Sequence, residues 1–382
     1  MFKRMEVAGL LVATLLAAAC SESLGPAGPA ANAPRFATLA PAAPGAGIAL
    51  DQLNGTLNES GNFFIKGFNN TNPHHGDAIV ATFFWVGSTN IIDSVTDVLT
   101  LPGYPRVGNK YNLVEYVTSG GISMATYVAT NVQGFPDGFN APAQDSILAV
   151  RADLSQSVTD GGLLISAWSG VDAVTTQVVG SHSAAAGSGS TATVADPGTV
   201  AVGAGALALG VTLSNALVGA EAPAGFTTLA VQSDANMVDE TNYLVASNVG
   251  SVDPRWTWNF TQASTWLATT FTLNPPPHLA FTVQPSTTLP LMTIQPAVRV
   301  TVLDALGNPA TSYNGPVTIA IGHNGGLLVP GTLSGTKTVT AVNGVATFSD
   351  LRIDQPGNGY TLVVNGSGVT GAESVAFNIG AL

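Results

Sequence analysis

The residues that could do chemistry are few in this chain, with five histidines and 23 acidic residues in 382 positions. His74 and His75 are adjacent, and Asp77 follows them, so an imidazole–carboxylate metal site is conceivable. Adjacent side chains on extended backbone point to opposite sides, which prevents both histidines from binding one ion unless the loop curls. The surrounding turn formers favour an exposed turn. We therefore expect no metal site here.

A hydrolytic group would need a nucleophile, a base and an orienting acid. Ser169, Asp172 and His182 are the nearest approach to such a set, but the sequence has no G-x-S-x-G elbow. The segment around His182, "SHSAAAGSGS", has the composition of a flexible loop. We expect no catalytic residues and no enzymatic activity, and we keep a hydrolase as an alternative.

Tryptophan is the other residue type with two interpretations. Trp256, Trp258 and Trp266 lie close together in the sequence, and exposed aromatic rings can stack on sugar rings. However, Trp256 and Trp258 alternate with Thr257 and Asn259, which is the pattern of a strand with one buried face. We favour a core role for these residues and keep carbohydrate binding through the three tryptophans as the alternative.

The composition limits both the fold and the partners. Glycine (43) and proline (23) are abundant, and only 9% of residues are charged. Such a chain favours short strands and many turns, so the predicted class is all-β. The net charge of −12 argues against nucleic acid as a partner. A single cysteine excludes an intramolecular disulfide and a cysteine-based zinc cluster, and we expect no cofactor.

That cysteine stands at the end of an apparent export signal. Lys3 and Arg4 precede an apolar run of about 13 residues (7–19), which is too short to span a membrane. The run ends in "LAAAC", with Cys20 last, and this resembles the lipobox of bacterial lipoproteins. The resemblance implies cleavage before Cys20, lipidation of its sulfur and anchoring to a membrane. Ser21 is compatible with the outer membrane in that family.

Composition shifts divide the rest of the chain. A Pro- and Ala-rich stretch reads as a disordered tether, and "NPPP" marks a stiff boundary between two strand-rich regions. We predict two β-sandwich domains in tandem after a signal peptide and a linker. The predicted segments are a signal peptide (1–19), a tether (20–47), a first sandwich (48–273), a proline linker (274–277) and a second sandwich (278–382).

The first sandwich domain loosely resembles concanavalin-like or jelly-roll modules of secreted bacterial proteins. The matching features are the turn "GNKY" at 108–111 and the strand end "WSG" at 168–170. The family resemblance implies a sandwich of two antiparallel sheets and assigns no activity.

The second domain alternates more regularly, with Val298, Val300 and Val302 on one face of a strand. Asn343-Gly344 lies between two strand-like runs and predicts a tight hairpin turn. The run "VRVTVLDALGNPAT", with "LSGTKTVTAVNGVATFSDL", resembles bacterial immunoglobulin-like modules of adhesins and surface proteins. The resemblance implies a spacer or presenting unit.

Together these features predict a lipid-anchored cell-envelope protein with a non-enzymatic role in adhesion, presentation or structure. Its expected partners are the membrane, through the lipid, and a glycan or another envelope or surface protein.

Overall fold

The computed structural model describes residues 35–36, 47–68, 71–100, 103–134 and 147–380. The predicted signal peptide (1–19), Cys20 and nearly all of the predicted tether (20–47) lie outside the described residues. Within them, β-structure predominates and confirms the predicted all-β sandwich class. The helix α1 (Thr175–Val178) is a single turn. In this part of the chain no helix has the length and apolar character needed to cross a membrane.

The strands before the prolines differ greatly in length. In chain order up to α1 they are β1 (Arg35–Phe36), β2 (Ala49–Gly67), β3 (Ala78–Val86), β4 (Ile92–Leu99), β5 (Asn112–Ser119), β6 (Ile122–Ala129) and β7 (Leu148–Ser169). After α1 they are β8 (Val179–Gly189), β9 (Ala192–Ala195), β10 (Val200–Val202), β11 (Leu207–Ser214), β12 (Ala220–Glu221), β13 (Thr227–Ser233), β14 (Val238–Val245), β15 (Gly250–Val252), β16 (Trp256–Asn259) and β17 (Ser264–Leu273).

Two large sheets face each other in this region. The front sheet has the order β2-β7-β3-β6-β5, with β4 paired to β7, and the back sheet has the order β1-β13-β14-β11-β17-β8. Buried side chains from both sheets pack together between them, such as Val80 and Phe84 from β3 with Leu209 and Val211 from β11. Their packing makes the sandwich.

The front sheet folds over itself, because β2 and β7 are 19 and 22 residues long and their pairing is irregular near the middle. The C-terminal half of β2 and the N-terminal half of β7 cover the outer face of β3. Phe64 and Val150 pack there against Phe83 and Trp85. This second cover explains why nearly every residue of β3 is buried, since strands covered on both faces read as continuous apolar runs.

A three-stranded cover sheet, β12-β16-β9, lies over the outer face of the back sheet. Trp256, Trp258 and Phe260 pack under it against Trp266 and Ala268 of β17. A further short pair joins β10 to β15. The region before the prolines therefore consists of four β layers with separate apolar cores between them.

The region after the prolines forms its own sheets. Its strands are β18 (His278–Val283), β19 (Val298–Leu303), β20 (Pro316–Ile321), β21 (Leu333–Ser334), β22 (Thr338–Thr340), β23 (Val345–Phe348), β24 (Arg352–Ile353), β25 (Gly357–Tyr360), β26 (Leu362–Gly366), β27 (Val369–Glu373) and β28 (Phe377–Ile379). The main sheet runs β22-β20-β26-β27-β18-β19-β23, and β21-β24 and β25-β28 are separate pairs.

Val298, Val300 and Val302 are fully buried in a core built from 279–379, as their alternation predicts. Among the described strands, no sheet pairs one side of the prolines with the other. The exact domain boundaries, the immunoglobulin-like type of the second region and the jelly-roll type of the first stay predictions.

Candidate functional site

The three tryptophans considered for ligand binding lie in the core. Trp256 and Trp258 are fully buried, and their indole N–H groups donate to Asn242 Oδ1 at 2.7 Å and Thr212 Oγ1 at 3.1 Å. Trp266 is 8% exposed and packs on Gly187. No ring face is left open for a sugar to stack on, so the burial of these residues supports the core role that the alternation favours. The indole N–H groups of Trp256 and Trp258 tie the cover sheet to the back sheet instead.

The serine, aspartate and histidine considered for hydrolysis each have other partners. Ser169 donates to the carbonyl oxygen of Ala49 at 3.3 Å, and Asp172 accepts the backbone N–H of Val174 at 2.9 Å. His182 contacts Glu115, with 2.6 Å between Nδ1 and Oε1. The segment that contains His182 is strand β8, not the flexible loop that its composition predicts. Among the described contacts, none joins these three side chains into a catalytic group.

The turn that precedes β3 brings together three side chains able to bind a cation. His74 and Asp77 stand at its two ends, and Gly76 takes the left-handed conformation (φ 95°) that the turn needs. The Asp77 carboxylate accepts the backbone N–H of His74 at 2.9 Å. Asp51, from β2, places Oδ2 at 2.8 Å from His74 Nδ1. One ligand atom from each of the three lies within 4.8 Å of the others.

This cluster is buried on its acidic side and open on its histidine side. The side chain of Asp51 is 6% exposed and that of His74 is 66% exposed. Burial raises the pKa of Asp77 to about 7, with further contributions from the hydrogen bond and the charge of Asp51, while His74 opposes the shift. His75 is exposed and is not part of the cluster. The turn is where the sequence predicts it, but Asp51, 23 residues upstream of His74, is a residue that local spacing misses.

A second acidic group is buried where the front and back sheets meet. Burial raises the pKa of both Asp160 and Asp239, and the nearby charge of Asp234 adds to each shift. Asn236 donates to Asp160 Oδ2, and Gln232 donates to Asp239 Oδ2 at 3.2 Å. These carboxyl groups are more than nine-tenths buried. Because they are closed off from substrates, we assign them to the packing of the sheets.

Asp97 organises the "GNKY" turn that the sequence singled out. Its carboxylate accepts the backbone N–H groups of Gly108 and Asn109 at 3.1 and 3.3 Å, the Asn109 side-chain amide and the hydroxyl of Tyr111. Burial raises the pKa of Asp97, while these hydrogen bonds lower it in part. The motif therefore holds a loop against β4 through the Asp97 carboxylate.

An open cavity of about 680 Å³ lies between the β5–β6 turn and the loop after β11. Its lining includes Gly120, Asn215, Leu217, Asn236 and Gln262, and none of its lining residues is acidic or basic. Neutral amides and apolar groups can hold a ligand, but they supply no general acid or base.

No protein-family model matches this chain. No curated protein sequence is similar enough to it to count as a relative.

Proposed function

We propose that this chain is a lipid-anchored protein of the bacterial cell envelope, with a non-enzymatic role in adhesion, presentation or structure. The observation that carries the proposal is the position of the sole cysteine. Cys20 stands at the end of a basic and then apolar segment, directly after three alanines. Two or more acyl chains hold a protein firmly on a membrane, whereas one chain gives marginal binding.

The β-rich body supports a presenting role. Separate cores stabilise the regions before and after the prolines, and the candidate hydrolytic side chains are each engaged elsewhere. Binding would then use loops and strand edges, which is common for proteins that display β-sandwiches. The carbohydrate-binding alternative rests on exposed rings. Trp256, Trp258 and Trp266 are buried and offer no ring surface for a sugar to stack on. The same contacts give no support to the hydrolase alternative.

Metabolic labelling with an alkyne fatty acid tests the anchor directly. We expect wild-type protein to incorporate the label and its mature N-terminus to be Cys20. The variant Cys20→Ala should incorporate no label, because it lacks the sulfur to which the lipid is attached. Ser21→Ala is the matched control and should be labelled like wild type. An unlabelled wild-type chain, or a Cys20→Ala chain that keeps the label, would overturn the proposal.

A further inference from the structure

Asp51, His74 and Asp77 form a ligand set that the proposed anchoring role leaves unused. We propose that these three side chains bind a divalent transition-metal ion, of which zinc is the best fit. The proposal rests on their geometry alone and does not depend on lipidation of the chain. It also differs from the metal site considered in the sequence, because the partner of His74 is Asp51 and not His75.

The ligand types are ones that zinc uses in proteins, and their spacing is within about an ångström of what the ion requires. Zinc takes nitrogen and carboxylate oxygen ligands at about 2.0–2.2 Å, so two ligands of a tetrahedral ion lie roughly 3.3–3.6 Å apart. His74 Nδ1 and Asp51 Oδ2 are 2.8 Å apart, and all three ligand atoms lie within 4.8 Å of one another. A movement of less than an ångström at the exposed His74 side chain opens enough room for the ion.

The donor types distinguish this ion from calcium or magnesium. Calcium binds six to eight oxygens, and magnesium prefers oxygen ligands with several waters. An imidazole beside two carboxylates instead suits zinc and its neighbours in the first transition series. Because His74 is 66% exposed, water can reach the fourth coordination position.

The charges point to a cation as well. Asp77 is 3% exposed, and one of its carboxylate oxygens lies within 4.8 Å of a carboxylate oxygen of Asp51. In the described part of the chain, His74 is the basic residue that pairs with Asp51. Two carboxylates held this close repel each other when both are ionised, and a divalent ion between them would balance both charges.

The surrounding backbone holds the ligands in place before an ion arrives. The Asp77 carbonyl accepts the N–H of Val132 at 3.0 Å, which fixes the turn against the end of β6. The N–H of His74 donates to Asp77 Oδ2 at 2.9 Å and to Asp51 Oδ2 at 3.3 Å, so it holds both carboxylates at the turn. Groups that orient ligands in this way typically strengthen metal binding.

Calorimetric titration of the full chain tests the proposal, using protein purified in detergent and first dialysed against EDTA. We expect one equivalent of Zn²⁺ to bind, and Co²⁺ to give the intense visible absorption of a tetrahedral site. His74→Ala should weaken Zn²⁺ binding at least about tenfold, and Asp51→Asn should do the same. His74 is exposed, so its replacement leaves the fold intact, which thermal unfolding would verify.

His75→Ala is the matched control, since it removes the neighbouring exposed imidazole. It should bind Zn²⁺ as tightly as wild type. Three results would overturn the proposal: no Zn²⁺ binding by wild type, equal weakening in His75→Ala and His74→Ala, or binding of Ca²⁺ in preference to Zn²⁺. Loss of lipid labelling in Cys20→Ala has no bearing on these outcomes, so the two proposals fail separately.

Discussion

The indole N–H of Trp256 donates to Oδ1 of Asn242 over 2.7 Å, and both side chains are fully buried. Asn242 lies in β14 of the back sheet, and its amide nitrogen donates to Thr228 and Glu240. The side-chain amide of Asn242 therefore has hydrogen-bond partners at both its oxygen and its nitrogen. The bond from Trp256 links the cover sheet to the back sheet below it. An amide oxygen buried at this depth depends on that one indole donor.

Replacing Trp256 with Phe should therefore cost more stability than replacing Trp258 with Phe. Trp258 bonds to the hydroxyl of Thr212, which also donates to the Leu267 carbonyl and so keeps a partner. The Trp256 variant leaves Asn242 Oδ1 without a donor, and an orphaned buried acceptor costs about 1–3 kcal/mol. Urea unfolding monitored by circular dichroism would measure both variants. Equal losses would show that the hydrogen bond adds nothing beyond ring packing.

Sequence alternation identified the buried faces well, because burial on a strand depends on local period. Val298, Val300 and Val302 are buried as predicted. The Asn343-Gly344 turn is also confirmed, with φ values of 50° and 78° and reciprocal bonds between Val342 and Val345. The strands on either side nevertheless pair with different partners, β22 with β20 and β23 with β19. A turn motif fixes the local geometry and leaves the long-range pairing open.

Composition was misleading where a large side chain from a distant strand requires small neighbours. The segment "SHSAAAGSGS" suggests a loop, yet it forms most of β8 and pairs with β17. A Cβ on Gly187 would lie 2.6 Å from Cζ2 of Trp266, so the indole ring requires glycine there. The Asp51–His74–Asp77 cluster was missed for a related reason: the strand β2 brings Asp51 to the turn, and no spacing within the turn reveals it.

Asp97→Ala should loosen the turn at 108–111. The substitution removes the acceptor for two backbone N–H groups and a side-chain amide, and hydrogen bonds to charged groups contribute about 1.5–3 kcal/mol each. Removing the buried carboxylate also removes the cost of its desolvation, so we expect a net loss of roughly 3 kcal/mol. Amide hydrogen exchange at Gly108 and Asn109 should become faster. Asp93→Ala, on the exposed side of β4, is the control and should change stability by less than about 0.5 kcal/mol. Unchanged exchange at Gly108 in Asp97→Ala would contradict the anchoring role.

The buried Asp239 should make the protein less stable as pH rises. Burial raises its folded pKa well above the ordinary value of 3.8, so the folded state holds a proton that the unfolded state has lost. The contribution of this group to the free energy of unfolding is fully present below pH 3.8. It is lost as the pH rises toward the folded pKa. Asp160 and Glu240 shift in the same direction.

Asp239→Asn removes the titrating group and keeps an oxygen that can accept from Gln232. Compared with wild type, it should be more stable at pH 8 by about 1–3 kcal/mol, and the difference should shrink toward pH 4. Urea midpoints at several pH values would measure this effect. Asp93→Asn is the control and should keep the wild-type slope. A gain that is the same at pH 4 and pH 8 would contradict the electrostatic cause.

At Gly162, β7 passes close to the backbone of β2 as the front sheet folds over itself. A Cβ there would lie 2.1 Å from the Thr56 carbonyl oxygen and 2.8 Å from Leu57 Cα, both of which are backbone atoms that cannot rotate away. The pairing of β2 with β7 shifts register at this point, and Asn58 takes a positive φ of 66°. A close backbone approach of this kind is a typical reason for glycine inside a strand.

Gly162→Ala should therefore force β2 and β7 apart and destabilise the protein by about 1–3 kcal/mol or more. Gly219→Ala is the matched control, because a Cβ at Gly219 meets no atom within 4 Å. Thermal unfolding of both variants would measure the difference, and amide exchange at Thr56 and Leu57 would locate it. If Gly162→Ala were as stable as Gly219→Ala, the two long strands would not need the close contact that lets one sheet form two layers.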